Sequence, residues 1–209
     1  MTKSNGKLLI TKLAQPAVFV AIGVFSRIIP HPANFAPITA MAIFGGVYLN
    51  KKQALTLPIA AMILSDLVIG FDNLPMRLSV YGSFLLAVFM GFWIKNHKDS
   101  KHIIFASLLS SILFFVITNF SVWVFGTMYA KSVSGLAECY YLAIPFFRNT
   151  LLGDLMYTTV FFGSYELLVS FIRKKNFAKI LNFKLFQYLS PFGLGTKTLI
   201  LSISFGFCL

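Results

Sequence analysis

Six apolar runs separated by short polar breaks occupy most of the sequence between Leu13 and Ile172. They fall at about Leu13–Pro30, Pro37–Leu49, Ala54–Phe71, Leu78–Ile94, Ile103–Gly126 and Pro145–Ile172. A hydrocarbon core of about 30 Å needs about 20 apolar residues in a helix. Inside lipid every backbone N–H and C=O must be paired within the span, so runs of this kind fold as helices. The second run is short, and a tilted or re-entrant span is open to it. Its Ala40, Ala42, Gly45 and Gly46 are small residues that let helix backbones approach closely. No small-residue cleavage site follows the first run, which ends in Arg27, Pro30 and His31, so it reads as a span and not as a secretory signal. Charged residues make up 11% of the chain against about 25% in soluble domains, and mean hydropathy is +0.80. Too few polar side chains remain to cover a water-facing globule, which excludes a soluble enzyme.

The 18 Lys and Arg against 6 Asp and Glu give a formal charge of +12. Those cations lie between apolar runs instead of forming a patch, so they do not point to nucleic acid. They report topology, because Lys and Arg accumulate in cytoplasmic loops. Lys3, Lys7 and Lys12 precede the first span, and Lys51 and Lys52 join the second to the third. Lys95, Lys98 and Lys101 join the fourth to the fifth, and Arg173, Lys174, Lys175, Lys179 and Lys184 follow the sixth. The alternate connections hold only Arg27, Arg77, Lys131 and Arg148, with Asp72 and Glu138 among them. The expected fold is therefore an all-α integral membrane protein with six transmembrane helices and both termini cytoplasmic. Residues 1–12 read as a cytoplasmic segment and 13–172 as the membrane domain. Residues 173–209, basic and then apolar, read as an interfacial or poorly ordered tail, a seventh span being the alternative.

In this orientation the polar chemistry lies on the outer side, in IPHPANFAP, FDNLPMR and MYAKSVSGLAECYYLAIPFFRN. The two prolines around His31 stiffen the first loop. It presents His31 and Asn34 either to a solute or, in the plainer reading, as a solvated ring and a helix cap. Ionisable groups at membrane depth are costly and mark function by default. Asp66 lies about four residues from the outer end of span three and Asp154 about seven residues into span six, at similar depth, which would set them on facing walls of one outer cavity. Arg27, Arg77 and Arg148 stand near enough in the topology to neutralise them structurally. Alternatively Arg148 and Asn149, beside Phe146 and Phe147, form part of a ligand site. Asn119 and Trp123 are spaced by four on span five and share a face. With Tyr129, Tyr140, Tyr141 and Tyr157 they would form either an aromatic enclosure or an interfacial belt.

Motifs for catalysis or phosphate binding are missing: there is no HExxH pair, Walker loop, GxSxG elbow or Cys/His cluster. Cys139 and Cys208 are too few for a disulfide framework or a thiolate metal site. No enzyme activity, cofactor or metal is expected, and without an ATP motif the chain cannot power transport alone.

The strings RIIPHPANFAPITAMAIFGG, LPIAAMILSDLVIGF, FFVITNFSVWVFGTMY and AIPFFRNTLLGDLMYTTVFFG resemble an uncharacterised bacterial six-span membrane family related to the substrate-binding S components of energy-coupling factor (ECF) transporters. The resemblance covers about residues 13–172. It implies an S-component-like bundle in the bacterial inner membrane and a pocket near the outer face. It also implies an energising module of one transmembrane coupling subunit and two ATPase subunits. In S components an Ala-x-x-x-Ala stretch on the first helix docks on the coupling subunit, and Ala17 and Ala21 occupy that spacing in PAVFVAIG. The substrate class implied is a vitamin or precursor. The metal-transporting branch depends on an N-terminal His motif, and MTKSNGK lacks it. The expected substrate-binding residues are His31, Asn34, Asp66, Asn119, Trp123, Arg148, Asn149 and Asp154. A membrane enzyme using Asp66 and Asp154 as an acid/base pair, and a structural or assembly protein without ligand, are the competing expectations.

Overall fold

The computed structural model describes the backbone of residues 3–71 and 73–189 and the side chains of residues 16–71 and 73–174. Over that range the chain is all-helical, in the order α1 (Lys3–Ile28), α2 (Ile38–Tyr48), α3 (Lys51–Ile69), α4 (Leu74–Ile94), α5 (Ser100–Phe125) and α6 (Val133–Leu189). Four segments are long and apolar enough to cross a membrane: Lys51–Ile69, Leu74–Ile94, Ser100–Phe125 and Val133–Lys174. The apolar part of α1, Pro16–Ile28, and α2 are shorter. At about 1.5 Å per residue, the 11 residues of α2 rise about 16 Å, half of a hydrocarbon core.

Two boundaries differ from the sequence expectation. The helix α1 starts at Lys3 and takes in the segment expected to precede the first span. The helix α6 starts at Val133, inside the expected connection between the fifth and sixth spans, and continues through the basic run to Leu189. Ser132 opens it by accepting a hydrogen bond from the Gly135 amide at 3.2 Å. The stretch RKKNFAKILNFKLFQYL contains no Gly or Pro to stop it, and Lys, Arg and Leu are good helix formers. Residues 190–209 of the expected tail lie outside the described residues.

The chain divides into two compact units, Met1–Gly163 and Ser164–Leu209. The second contains the remainder of α6, whose Leu167, Leu168, Phe171 and Ile172 are exposed. In the first unit α2 is the central element, packing against α1, α3, α4 and α5. Its sequence, ITAMAIFGGVY, is apolar on every face, as a helix surrounded by protein requires. Nine of its residues, from Ile38 to Val47, are buried. Ala42, Ile43 and Val47 of α2 join Ala87, Val88 and Ile94 of α4 and Phe162 of α6 in one core cluster. Ile38 and Met41 join Met62 and Phe84 in a second. Where α2 crosses α4 the backbones nearly touch. A Cβ at Gly91 would stand 2.3 Å from the Ile43 carbonyl oxygen, and one at Gly46 would stand 2.5 Å from that of Val88.

Local signals set several helix ends. Asn50 caps α3 by accepting from the Gln53 amide at 2.9 Å, and its own amide donates to Gln53 Oε1 at 2.6 Å, a reciprocal cap. Gly70, with φ of 109°, ends α3 in a conformation that side-chain-bearing residues avoid. Before α5, Asp99 occupies the cap position, and its hydrogen bond with the His102 ring holds its carboxyl below the usual carboxylate range.

Candidate functional site

At the end of the first unit where α1 meets α2 and α3 meets α4, a cavity of about 290 Å³ is lined by residues from all six helices. Helix α1 contributes Arg27, and the turn after it contributes His31, Asn34 and Ala36. Ile38 and Thr39 come from α2, Met62, Asp66 and Ile69 from α3, and Arg77, Val80, Tyr81 and Phe84 from α4. Phe114 of α5 and Thr150 and Asp154 of α6 complete the wall. The lining mixes apolar and aromatic side chains with at least as many polar ones, among them Arg27, Asp66, Arg77 and Asp154, and the volume is close to the lower limit of the ~300–1,000 Å³ usual for small-molecule pockets.

The rim is formed by the proline-stiffened turn. His31 and Asn34 are exposed there. His31 Nδ1 lies 2.8 Å from the Pro32 carbonyl oxygen. Asn34 has φ of 63°, the left-handed region in which Asn is among the tolerated residues. The Phe35 amide closes the turn on the Pro32 carbonyl at 3.0 Å. Asn149 fastens this turn to α6 by donating to the Ala33 carbonyl at 3.1 Å. Asn149 is thus a brace of the rim and is not on the cavity wall.

Asp66, 6% exposed, is held from two helices. Arg27 Nη1 donates to Oδ1 at 2.6 Å, and the Tyr81 hydroxyl donates to Oδ2 at 2.6 Å. The same Arg27 nitrogen reaches the Met62 carbonyl at 3.2 Å and the Ser65 hydroxyl. This network ties α1, α3 and α4 together beside the cavity. Arg77 stacks over the Phe71 ring at 4.2 Å.

Asp154, 2% exposed, has different neighbours. The Ser111 hydroxyl donates to its Oδ2 at 2.7 Å, and Thr39 is a second side-chain partner. One turn further along α6, the Thr158 hydroxyl meets that of Ser107 at 3.3 Å. Hydroxyls thus pair α5 with α6 next to the carboxylate.

Of the expected site residues, His31, Asn34, Asp66 and Asp154 line this one cavity. Asn119, Trp123 and Arg148 do not. Asn119 spends its amide on the Phe115 carbonyl of its own helix at 2.8 Å. Trp123 donates to the Ala130 carbonyl at 2.9 Å in the turn between α5 and α6, where Lys131 also caps the Gly126 carbonyl at 2.6 Å. Arg148 is exposed, and no ion pair among the described residues includes it. Wall residues absent from the expected list include Arg27, Arg77, Thr39, Tyr81, Phe84, Phe114 and Thr150, with Ser111 behind Asp154. A signal for some of them exists at helical spacing. Tyr81 follows Arg77 by four, Thr150 precedes Asp154 by four, and Ser107 and Ser111 form a polar step on α5.

Ala17 and Ala21 line a separate apolar groove on the surface of α1 and α3, with Pro16, Val20, Val24, Leu57, Ala60 and Leu64. Among the described residues no cluster of three or more His, Cys, Asp or Glu is placed to hold a metal ion.

Comparison with curated proteins and with solved structures returns no match. Residues 8–180 match a family described as a family of unknown function (DUF6580), and the chain belongs to that family.

Proposed function

We propose that the protein is a membrane-embedded substrate-binding subunit, which captures a small organic solute such as a vitamin or precursor for ATP-driven uptake with a separate energising module. The observation that carries this reading is the cavity: polar and aromatic groups from six helices converge on it, and its rim is a stiffened turn bearing His31 and Asn34. A purely structural membrane helix bundle gains nothing from such a space, since unfilled interior volume forfeits packing. An acid/base enzyme is less well supported, because Asp66 is already engaged by Arg27 and Tyr81, and among the described residues no cluster is placed to hold a metal ion.

In this reading the protein lies in the bacterial inner membrane with both termini in the cytoplasm, and the cavity opens outward. The groove containing Ala17 and Ala21 has the small, apolar make-up that close helix–helix docking uses, which fits a transmembrane coupling subunit accompanied by two ATPases. The resemblance to S components implies delivery by rotation of the whole subunit in the membrane.

The test is purification of the full chain from its native membrane under mild detergent, followed by native mass spectrometry and identification of copurifying proteins. The expected result is a small organic molecule on the protein together with ATPase subunits. Recovery of neither from active membranes would overturn the reading.

A further inference from the structure

The two carboxylates on the cavity wall are not equivalent. Asp66 is met on both oxygens, by the guanidinium of Arg27 and the hydroxyl of Tyr81, each at 2.6 Å. Asp154 is the more deeply buried and is met by hydroxyls, from Ser111 at 2.7 Å and from Thr39. Among the described residues no Lys, Arg or His nitrogen lies within 4.0 Å of it. Hydroxyl dipoles orient a carboxylate without balancing its charge, and a carboxylate buried at membrane depth is costly until a proton or a cation joins it. Arg27 is already engaged by Asp66 and Ser65.

We propose that the cavity takes a small organic solute bearing a protonated nitrogen, with Asp154 as its counter-charge. This deepens the capture reading and rests on it. The aromatic part of the lining suits the rest of such a molecule. Phe84 and Phe114, with ring centroids 5.4 Å apart, both line the cavity, and aromatic faces attract both apolar bodies and organic cations. Ser111 and Thr39 are positioning residues: they fix the carboxylate so that the incoming N–H meets an already oriented acceptor.

The probe is an equimolar mixture of three matched sets: phenethylamine and tryptamine, their hydroxyl analogues 2-phenylethanol and tryptophol, and the carboxylates phenylacetate and indole-3-acetate. The full chain in nanodiscs is equilibrated with the mixture and washed, and the retained compounds are quantified by mass spectrometry. The solute copurifying from native membranes is classified by charge in parallel. The expected result is at least tenfold retention of an amine over its hydroxyl analogue, lost in Asp154→Asn, and a copurified solute carrying a protonated nitrogen. If the variant is not recovered from the membrane, the wild-type amine-to-alcohol ratio decides alone. Equal retention of alcohols, preference for carboxylates, or undiminished amine retention by the variant would overturn the inference. A copurified neutral or anionic solute would overturn it while leaving the capture reading standing. Stabilisation by sodium alone, abolished in Asp154→Asn, would also overturn it by assigning the carboxylate to a metal cation. With no copurified solute and no retained probe, both readings fall.

Discussion

Arg27 and Asp66 illustrate how a charge is made tolerable in an apolar interior. Their side chains are 20% and 9% exposed, and the 2.6 Å contact is reinforced by Tyr81 on the second carboxylate oxygen. Removing one member leaves the other uncompensated, which costs about 3–5 kcal/mol, whereas replacing both with apolar groups is often near neutral. Arg27→Ala is therefore expected to lower the stability of the detergent-solubilised protein by about 3–5 kcal/mol. The double variant Arg27→Met with Asp66→Leu should recover most of that loss. Unfolding midpoints of Arg27→Met alone, Asp66→Leu alone and the double variant form a cycle that checks this, and additive losses would show that the pair does not act as a unit. Asp66 and Asp154 were legible in the sequence because an acid inside an apolar run has few innocent explanations. The Arg27 partnership was one of several pairings the topology allowed. Asn119 and Trp123 do not line the cavity, and placement on a shared helical face says nothing about whether a polar group donates to nearby carbonyls, as these two do. Thr39 was silent, and the Ser107 and Ser111 step marked a face without a role, because hydroxyl residues are common in membrane helices and carry no charge to mark them.

The helix α2 shows what an apolar run too short for a comfortable span is used for. It is buried on nearly every face, and its Gly46 meets Gly91 of α4 backbone to backbone. That crossing fixes α2, and through it Ile38 and Thr39, against the cavity. An added methyl at Gly91 has only backbone atoms to push against, so Gly91→Ala should destabilise by about 1–3 kcal/mol, the usual range for overpacking. Gly82 lies on the same helix, where a Cβ meets nothing within 4 Å. Gly82→Ala is expected to be neutral or stabilising by up to about 1 kcal/mol, from helix propensity alone. Thermal unfolding of both variants in one detergent checks the contrast, and equal effects would remove the close crossing as the cause. The small residues of α2 were readable as a packing signal in the sequence. Their partner on α4 was not, because a single Gly among Phe and Met gives no pairing information. The helices α1 and α6 both extend beyond their apolar runs. Hydropathy marks the apolar part of a helix, and a helix does not stop where its residues become polar unless a breaker stops it.

At the scale of the whole molecule, the distribution of cations predicts an orientation, and under the proposed function the cavity calls for the same one. If each helix of the first unit crosses once, the connections α1–α2, α3–α4 and α5–α6 share one side, and these are the connections poor in Lys. The exposed cavity residues His31 and Asn34 lie in the first of them. The connections α2–α3 and α4–α5, with Lys51, Lys52, Lys95, Lys98 and Lys101 in or beside them, share the other. A pocket that gathers solute from outside and a loop set that obeys the positive-inside bias thus require the same orientation. Asn96 and Ser134 are exposed, uncharged and placed in or next to connections of opposite class, so each can be replaced without disturbing the charge pattern. In a background with Cys139 and Cys208 changed to Ser, Ser134→Cys should react with a membrane-impermeant maleimide on intact cells. Asn96→Cys should react only after the inner membrane is permeabilised. Labelling in the reverse sense would place the cavity mouth on the cytoplasmic side and make capture from outside impossible. Labelling of both sites on intact cells would mean that α5 does not cross, which would remove the topology on which the orientation depends.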